Sequence, residues 1–105
     1  MKTSDTKPMK RLEKLLTSGN LWLYILSLIK KKGSLYAYSL NKEIEKEFSF
    51  RPGRVMIYIV LYKLEGEGLI ISEFRERRKY YKLTKKGRAV LKEGKNYLSK
   101  LSKKL

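Results

Sequence analysis

The chain contains no cysteine, no histidine and no glutamine, only two prolines, and 10 acidic residues against 26 lysines and arginines in 105 positions. Without cysteine there is no disulfide and no thiolate metal site. Without histidine, the commonest metal ligand and the commonest general acid or base are both missing. Enzyme chemistry would have to rest on carboxylates, lysines or tyrosines, yet no paired carboxylates, nucleophile elbow or phosphate-binding glycine loop occurs. Gly66-Glu67-Gly68 lacks a third glycine and a strand before it, so it reads as a turn. These absences predict a protein that is not an enzyme and uses no cofactor and no metal.

A long apolar run is also missing, so no segment is expected to span a membrane. The nearest stretch, LWLYILSLI at residues 21–29, is too short and runs straight into Lys30, Lys31 and Lys32. The twenty residues before it do not have the form of a signal peptide. A cytoplasmic location is expected, associated with nucleoid or plasmid. The lack of cysteine and glutamine beside heavy lysine use suits a thermophilic, archaeal source. The length supports one small domain, whose core is limited enough for oligomerisation to help.

The charge is unevenly placed. Residues 1–33 carry a net +6, residues 34–68 a net 0 and residues 69–105 a net +10. Positive potential concentrated after Gly68 attracts polyanions and speeds their capture. A solvated surface that keeps the protein dispersed accounts for the same numbers.

Periodicity organises the chain. Residues 1–8 form a polar, flexible tail. Met9, Leu12, Leu15 and Leu16 recur at helical spacing to about Thr17, where Ser18-Gly19-Asn20 breaks the run. A second helix is predicted from Leu21 to Lys31, ending at Gly33. Ser34 and Leu35 form an extended link, and a third helix covers about Tyr36 to Glu47, burying Leu40, Ile44 and Phe48. Pro52-Gly53 leads into a fourth helix over Arg54 to Glu67, with Ile57, Val60, Leu61 and Leu64 inward. Val55, Tyr58, Ile59 and Tyr62 fall on the other side, too apolar to be left uncovered. LIISEF and KYYKLT then form a hairpin with RERR at its tip, and Thr84 caps a last helix from Lys85 to the C-terminus. Leu91, Gly94, Leu98, Leu101 and Leu105, widened by Val90 and Tyr97, make a seam for another helix.

Three helices, a basic hairpin and a final helix describe a mainly α chain with a β-hairpin: a winged helix-turn-helix over residues 9–84 and a dimerisation helix over 85–105. In that arrangement the fourth helix enters the major groove and the hairpin reaches the flanking backbone.

The runs GSLYAYSLNKEI, IYIVLYKLEGEGLI and RERRKYYKLTKKGRAVL, in this order, resemble the PadR family of winged-helix transcriptional regulators over roughly residues 9–100. The resemblance implies a homodimer joined through the terminal and first helices, acting as a repressor on double-stranded DNA. The family's Gly-Tyr at the start of the third helix corresponds to Ala37 and Tyr38, and its recognition-helix tyrosine to Tyr58. The usual Gly-Thr pair is replaced by Val55 and Met56, which leaves Arg51, Arg54 and Tyr58 as the better base contacts. Some members bind flat aromatic effectors between subunits, which makes a pocket at Trp22 a candidate.

The expected DNA-binding residues are therefore Ser34, Tyr36, Tyr38, Arg51, Arg54, Val55, Tyr58, Tyr62, Arg75, Arg77, Arg78 and Lys79. Arginine suits phosphate or a guanine edge, and tyrosine a phosphate or a thymine methyl. Val55 and Ile59 offer only apolar contact, so recognition leans on DNA shape or on AT-rich sequence. The expected dimer interface is Leu12, Leu15, Leu16, Trp22, Leu91, Tyr97, Leu98, Leu101 and Leu105. Each assignment has a plainer counterpart: Arg51 and Arg54 solubilise a turn, Tyr58 and Tyr62 are half-buried packing, and Trp22 is core. Two other functions share the fold. One is a plasmid-partition or DNA-organising protein that spreads along DNA while its N-terminal segment recruits a partner protein. The other is a winged helix that docks protein through Val55, Ile59 and Tyr62.

Overall fold

A computed structural model describes residues 2–105. Its central helix is α2 (Leu21–Lys32), in which Leu21, Ile25, Leu26, Leu28 and Ile29 are all buried. Each such side chain contributes roughly 1.5–3 kcal/mol through removal from water, so α2 is a main contributor to the core. Lys30, Lys31 and Lys32 fill its last turn, where cations complement the helix dipole.

Around α2 pack α3 (Leu40–Phe48) and α4 (Arg54–Gly66). Leu40 and Ile44 are fully buried, and Phe48 lies partly buried with its ring 4.8 Å from that of Tyr24, edge to face. Ile57, Leu61 and Leu64 turn inward from α4 with Val60 at the margin. The predicted turn after α4 is present: Gly68 adopts φ 75°, and the Leu69 amide bonds the Leu64 carbonyl at 3.0 Å. This is the left-handed helix stop that glycine allows.

The chain then forms β2 (Ile70–Arg75) and β3 (Arg78–Leu83). Only Glu76 and Arg77 lie between them, with φ of 48° and 67°, as a two-residue hairpin turn matched to strand twist requires. A third strand, β1 (Leu35–Tyr36), pairs antiparallel with β3 through Leu35↔Tyr81 and Tyr36↔Tyr80, giving the order β1-β3-β2. Ile70, Tyr81 and Leu83 face the core from this sheet.

Helix α5 (Lys85–Lys104) starts as predicted, with the Thr84 hydroxyl accepting the Gly87 amide at 3.0 Å. The same hydroxyl donates to the Gly68 carbonyl at 2.6 Å, tying the start of α5 to the entrance of the hairpin. A Cβ on Gly87 would lie 2.0 Å from the Leu69 carbonyl oxygen, so the close approach needs glycine. Further along, Gly94 lies under the Trp22 ring. Helix α1 (Lys7–Leu16) buries no residue in its own chain. It is joined to α2 by the Asn20 amide donating to the Leu15 carbonyl and by the Tyr24 hydroxyl donating to that of Leu16.

Four expectations shift. Tyr36 lies in a strand rather than a helix, because Tyr80 supplies its partner. Arg75 and Arg78 face each other as the last strand pair, so the tip is two residues long instead of four. Leu91 is buried in the chain's own core, so it is not available to the expected seam for another helix. The first helix starts at Lys7, with Pro8 in its first turn, after a single 3-10 turn at Thr3–Asp5; Met1 lies outside the described residues. Among the described residues no helix is long and apolar enough to cross a membrane.

Candidate nucleic-acid interface

The lip of α4 is built by Pro52, which is buried, and Gly53, whose carbonyl accepts the Ile57 amide at 3.1 Å. This places Arg54 on the first turn with its guanidinium 4.0 Å from the centre of the Tyr38 ring. Tyr38 stacks on Tyr36 at 6.0 Å, and Tyr36 meets Tyr80 across the β1–β3 pair at 5.6 Å. Arg78 lies 5.3 Å over Tyr36 and Arg75 4.9 Å over Tyr80. A continuous ridge of three tyrosines with an arginine against each thus runs from the first turn of α4 to the wing. Cation–π contact seats Arg54 and Arg78 on a ring and leaves their N–H groups for an anion, whereas those of Arg75 are taken up by Glu73 and Ser34.

Strand alternation decides which wing cations join the ridge. Tyr80, Arg78, Glu73, Arg75 and Lys82 share the outer face of the sheet with Tyr36. Lys79 is on the inner face, 5.3 Å from the Tyr81 ring and 3.9 Å from Glu65 of α4. It is therefore separated from the arginines with which the sequence groups it. Arg77 occupies the exposed turn.

Glu73 limits the charge of this face. It accepts from Arg75 Nε at 2.9 Å and pairs with Lys82 at 3.1 Å, and these cations hold its carboxyl below the usual carboxylate value, Arg75 first. Arg75 also donates to the Ser34 hydroxyl at 3.3 Å, which brings Ser34 into the site. Arg51 does not join the ridge; it turns to Glu45 of α3 at 3.4 Å.

The rest of the site is the outward face of α4, where Val55 is 74% exposed and Tyr62 80%, with Tyr58 and Ile59 each 43%. Sequence reasoning passed over Tyr80, although alternation in Tyr80-Tyr81 marks one ring as outward. It also left Met56, 48% exposed beside Val55, and Phe74, 73% exposed on the wing, without a role.

On the far side, Leu12, Leu15 and Leu16 of α1 and Tyr97, Leu98, Leu101 and Leu105 of α5 are exposed. Between them lies a groove of about 450 Å³ lined by Leu16, Trp22, Leu23, Val90, Gly94, Tyr97 and Leu98. Trp22 is half-buried there, its indole N–H donating to Asn20 at 3.2 Å.

The fold recurs among solved structures. A transcriptional regulator from Clostridium thermocellum is 31% identical, with a TM-score of 0.72 over 82% of this chain and 85% of that one. A PadR family transcriptional regulator from Eggerthella lenta is 26% identical, with a TM-score of 0.78 over 90% and 85%. The winged-helix DNA-binding protein F93 from STIV shares the fold at 21% identity, with a TM-score of 0.71 over 81% and 92%. A search of curated protein sequences gives no match. The model of the transcriptional regulator PadR-like family matches residues 25–93, from the middle of α2 through the wing into α5. With about two thirds of its length inside that match, the chain belongs to the PadR-like family of transcriptional regulators.

Proposed function

We propose that the protein is a homodimer that binds specific sequences in double-stranded DNA and represses transcription. The observation that carries this is the ridge Arg54, Tyr38, Tyr36, Arg78, Tyr80 beside the exposed face of α4. Side chains able to hold phosphate flank a helix able to enter a groove. Dimerisation is supported by α1, which buries nothing in its own chain, and by the exposed leucines of α5. Two copies joined there would present two recognition helices. The groove beside Trp22 would lie at that junction, and a flat aromatic effector is the ligand it suits. Quenching of Trp22 by cationic aromatics tests this, and an unchanged spectrum across a panel rejects it.

The primary test is a footprint on genomic fragments at physiological salt. A short protected palindrome beside a promoter, with half-sites about one helical turn apart, together with lower transcription from that promoter, is expected. Protection that begins at repeats and lengthens with added protein would reject the reading in favour of a DNA-organising protein.

A further inference from the structure

We propose that α4 distinguishes base pairs by the C5-methyl group of thymine, with Val55, Met56 and Ile59 as the reading side chains. This rests on α4 being the helix that enters the major groove.

The argument is an inventory of hydrogen-bonding groups. From Val55 to Tyr62 every side chain of α4 is aliphatic, a thioether or a phenol. Adenine is read in the major groove by the paired donor and acceptor of asparagine or glutamine, and cytosine by a carboxylate. None of these occurs on the helix before Glu65. Guanine is read by arginine or lysine, and the only such residue on the leading turns is Arg54, at the helix start, which leaves Val55 to Tyr62 without a guanine reader. What remains for thymine is its methyl group, the one apolar feature on the floor of the major groove.

Exposure agrees with this inventory. Val55 is 74% exposed, Met56 48% and Ile59 43%, on the turns nearest the Arg54 end. Recognition helices meet base edges with their N-terminal residues. Reading by shape alone is served by cations at a narrow minor groove, and it leaves apolar side chains on α4 without a use. Direct contact with methyl groups gives them one.

The test starts with a random duplex pool. Duplexes selected by the full chain should carry thymine-rich half-sites. The best duplex is then resynthesised with deoxyuridine for thymidine at one position at a time. Affinity should fall roughly fourfold at each contacted methyl, the value of one buried methyl-sized group. At the same positions, 5-methylcytosine paired with guanine should bind better than cytosine. Val55→Ala and Ile59→Ala should bring the thymidine-to-deoxyuridine ratio toward one. Equal affinity for both duplexes with sequence preference intact would overturn the inference while leaving the specific-binding reading standing. Salt-sensitive binding without any preference in the selected pool would overturn both.

Discussion

The Arg54 guanidinium sits 4.0 Å from the centre of the Tyr38 ring, which ties the first turn of α4 to the entry of α3. Two elements that arrive by separate turns thereby share one contact. Removing the ring with Tyr38→Leu should weaken DNA binding by about two- to fivefold, the range of an exposed cation–π contact. Tyr38→Phe should keep most of the affinity. Equal losses in both variants, read by fluorescence anisotropy, would assign the effect to the hydroxyl instead.

Gly87 gives a prediction about stability. Alanine is the better helix former by about 1 kcal/mol, but here its Cβ would meet the Leu69 carbonyl oxygen at 2.0 Å. Gly87→Ala should destabilise by about 1–3 kcal/mol or more and lower the unfolding temperature by several degrees. Gly66→Ala, with nothing within 4 Å of the added carbon, should instead stabilise by up to about 1 kcal/mol. Thermal unfolding of the two variants separates crowding from helix propensity.

The exposed leucines of α5 are the lever on assembly. Leu98→Glu combined with Leu101→Glu should give a monomer by light scattering and weaken DNA binding by at least about tenfold, as two joined half-site contacts become independent. A dimer that survives both charges would move the interface elsewhere.

The wing can be tested by salt. Replacing Arg77 and Arg78 with alanine should flatten the dependence of log affinity on log salt by up to about two phosphate contacts' worth of slope. Arg75→Ala should change it less, since Glu73 already neutralises that side chain. Equal slopes for all three proteins would detach the wing from the backbone.

Much of this was legible because each element carries its own pattern. Leu40 and Ile44 mark one face of α3, Pro52-Gly53 marks the entrance to α4, and Thr84 marks the start of α5. The misread elements are those defined by a partner far along the chain. Leu35-Tyr36 is too short to show alternation and becomes a strand only because Tyr80-Tyr81 pairs with it. The hairpin turn carries neither glycine nor asparagine, so its left-handed residues Glu76 and Arg77 gave no local signal. Leu91 and Leu98 lie on one helical stripe, and only the position of α2 tells which is core and which is surface. In the site, charge alone grouped Arg75, Arg77, Arg78 and Lys79; strand register puts Lys79 on the opposite face.

On the proposed reading, the separation of cations on the wing from aliphatic side chains on α4 divides capture of a duplex from choice among duplexes. Charge acts across roughly 8 Å of physiological solution, so the wing and the basic C-terminal half would govern how fast the protein reaches a duplex, and salt would slow that step and loosen the phosphate contacts that follow. Val55, Met56 and Ile59 would act only after water has been expelled. Their contacts are ones that salt hardly touches, so ionic strength should weaken binding to every sequence alike and leave the preference among sequences in place.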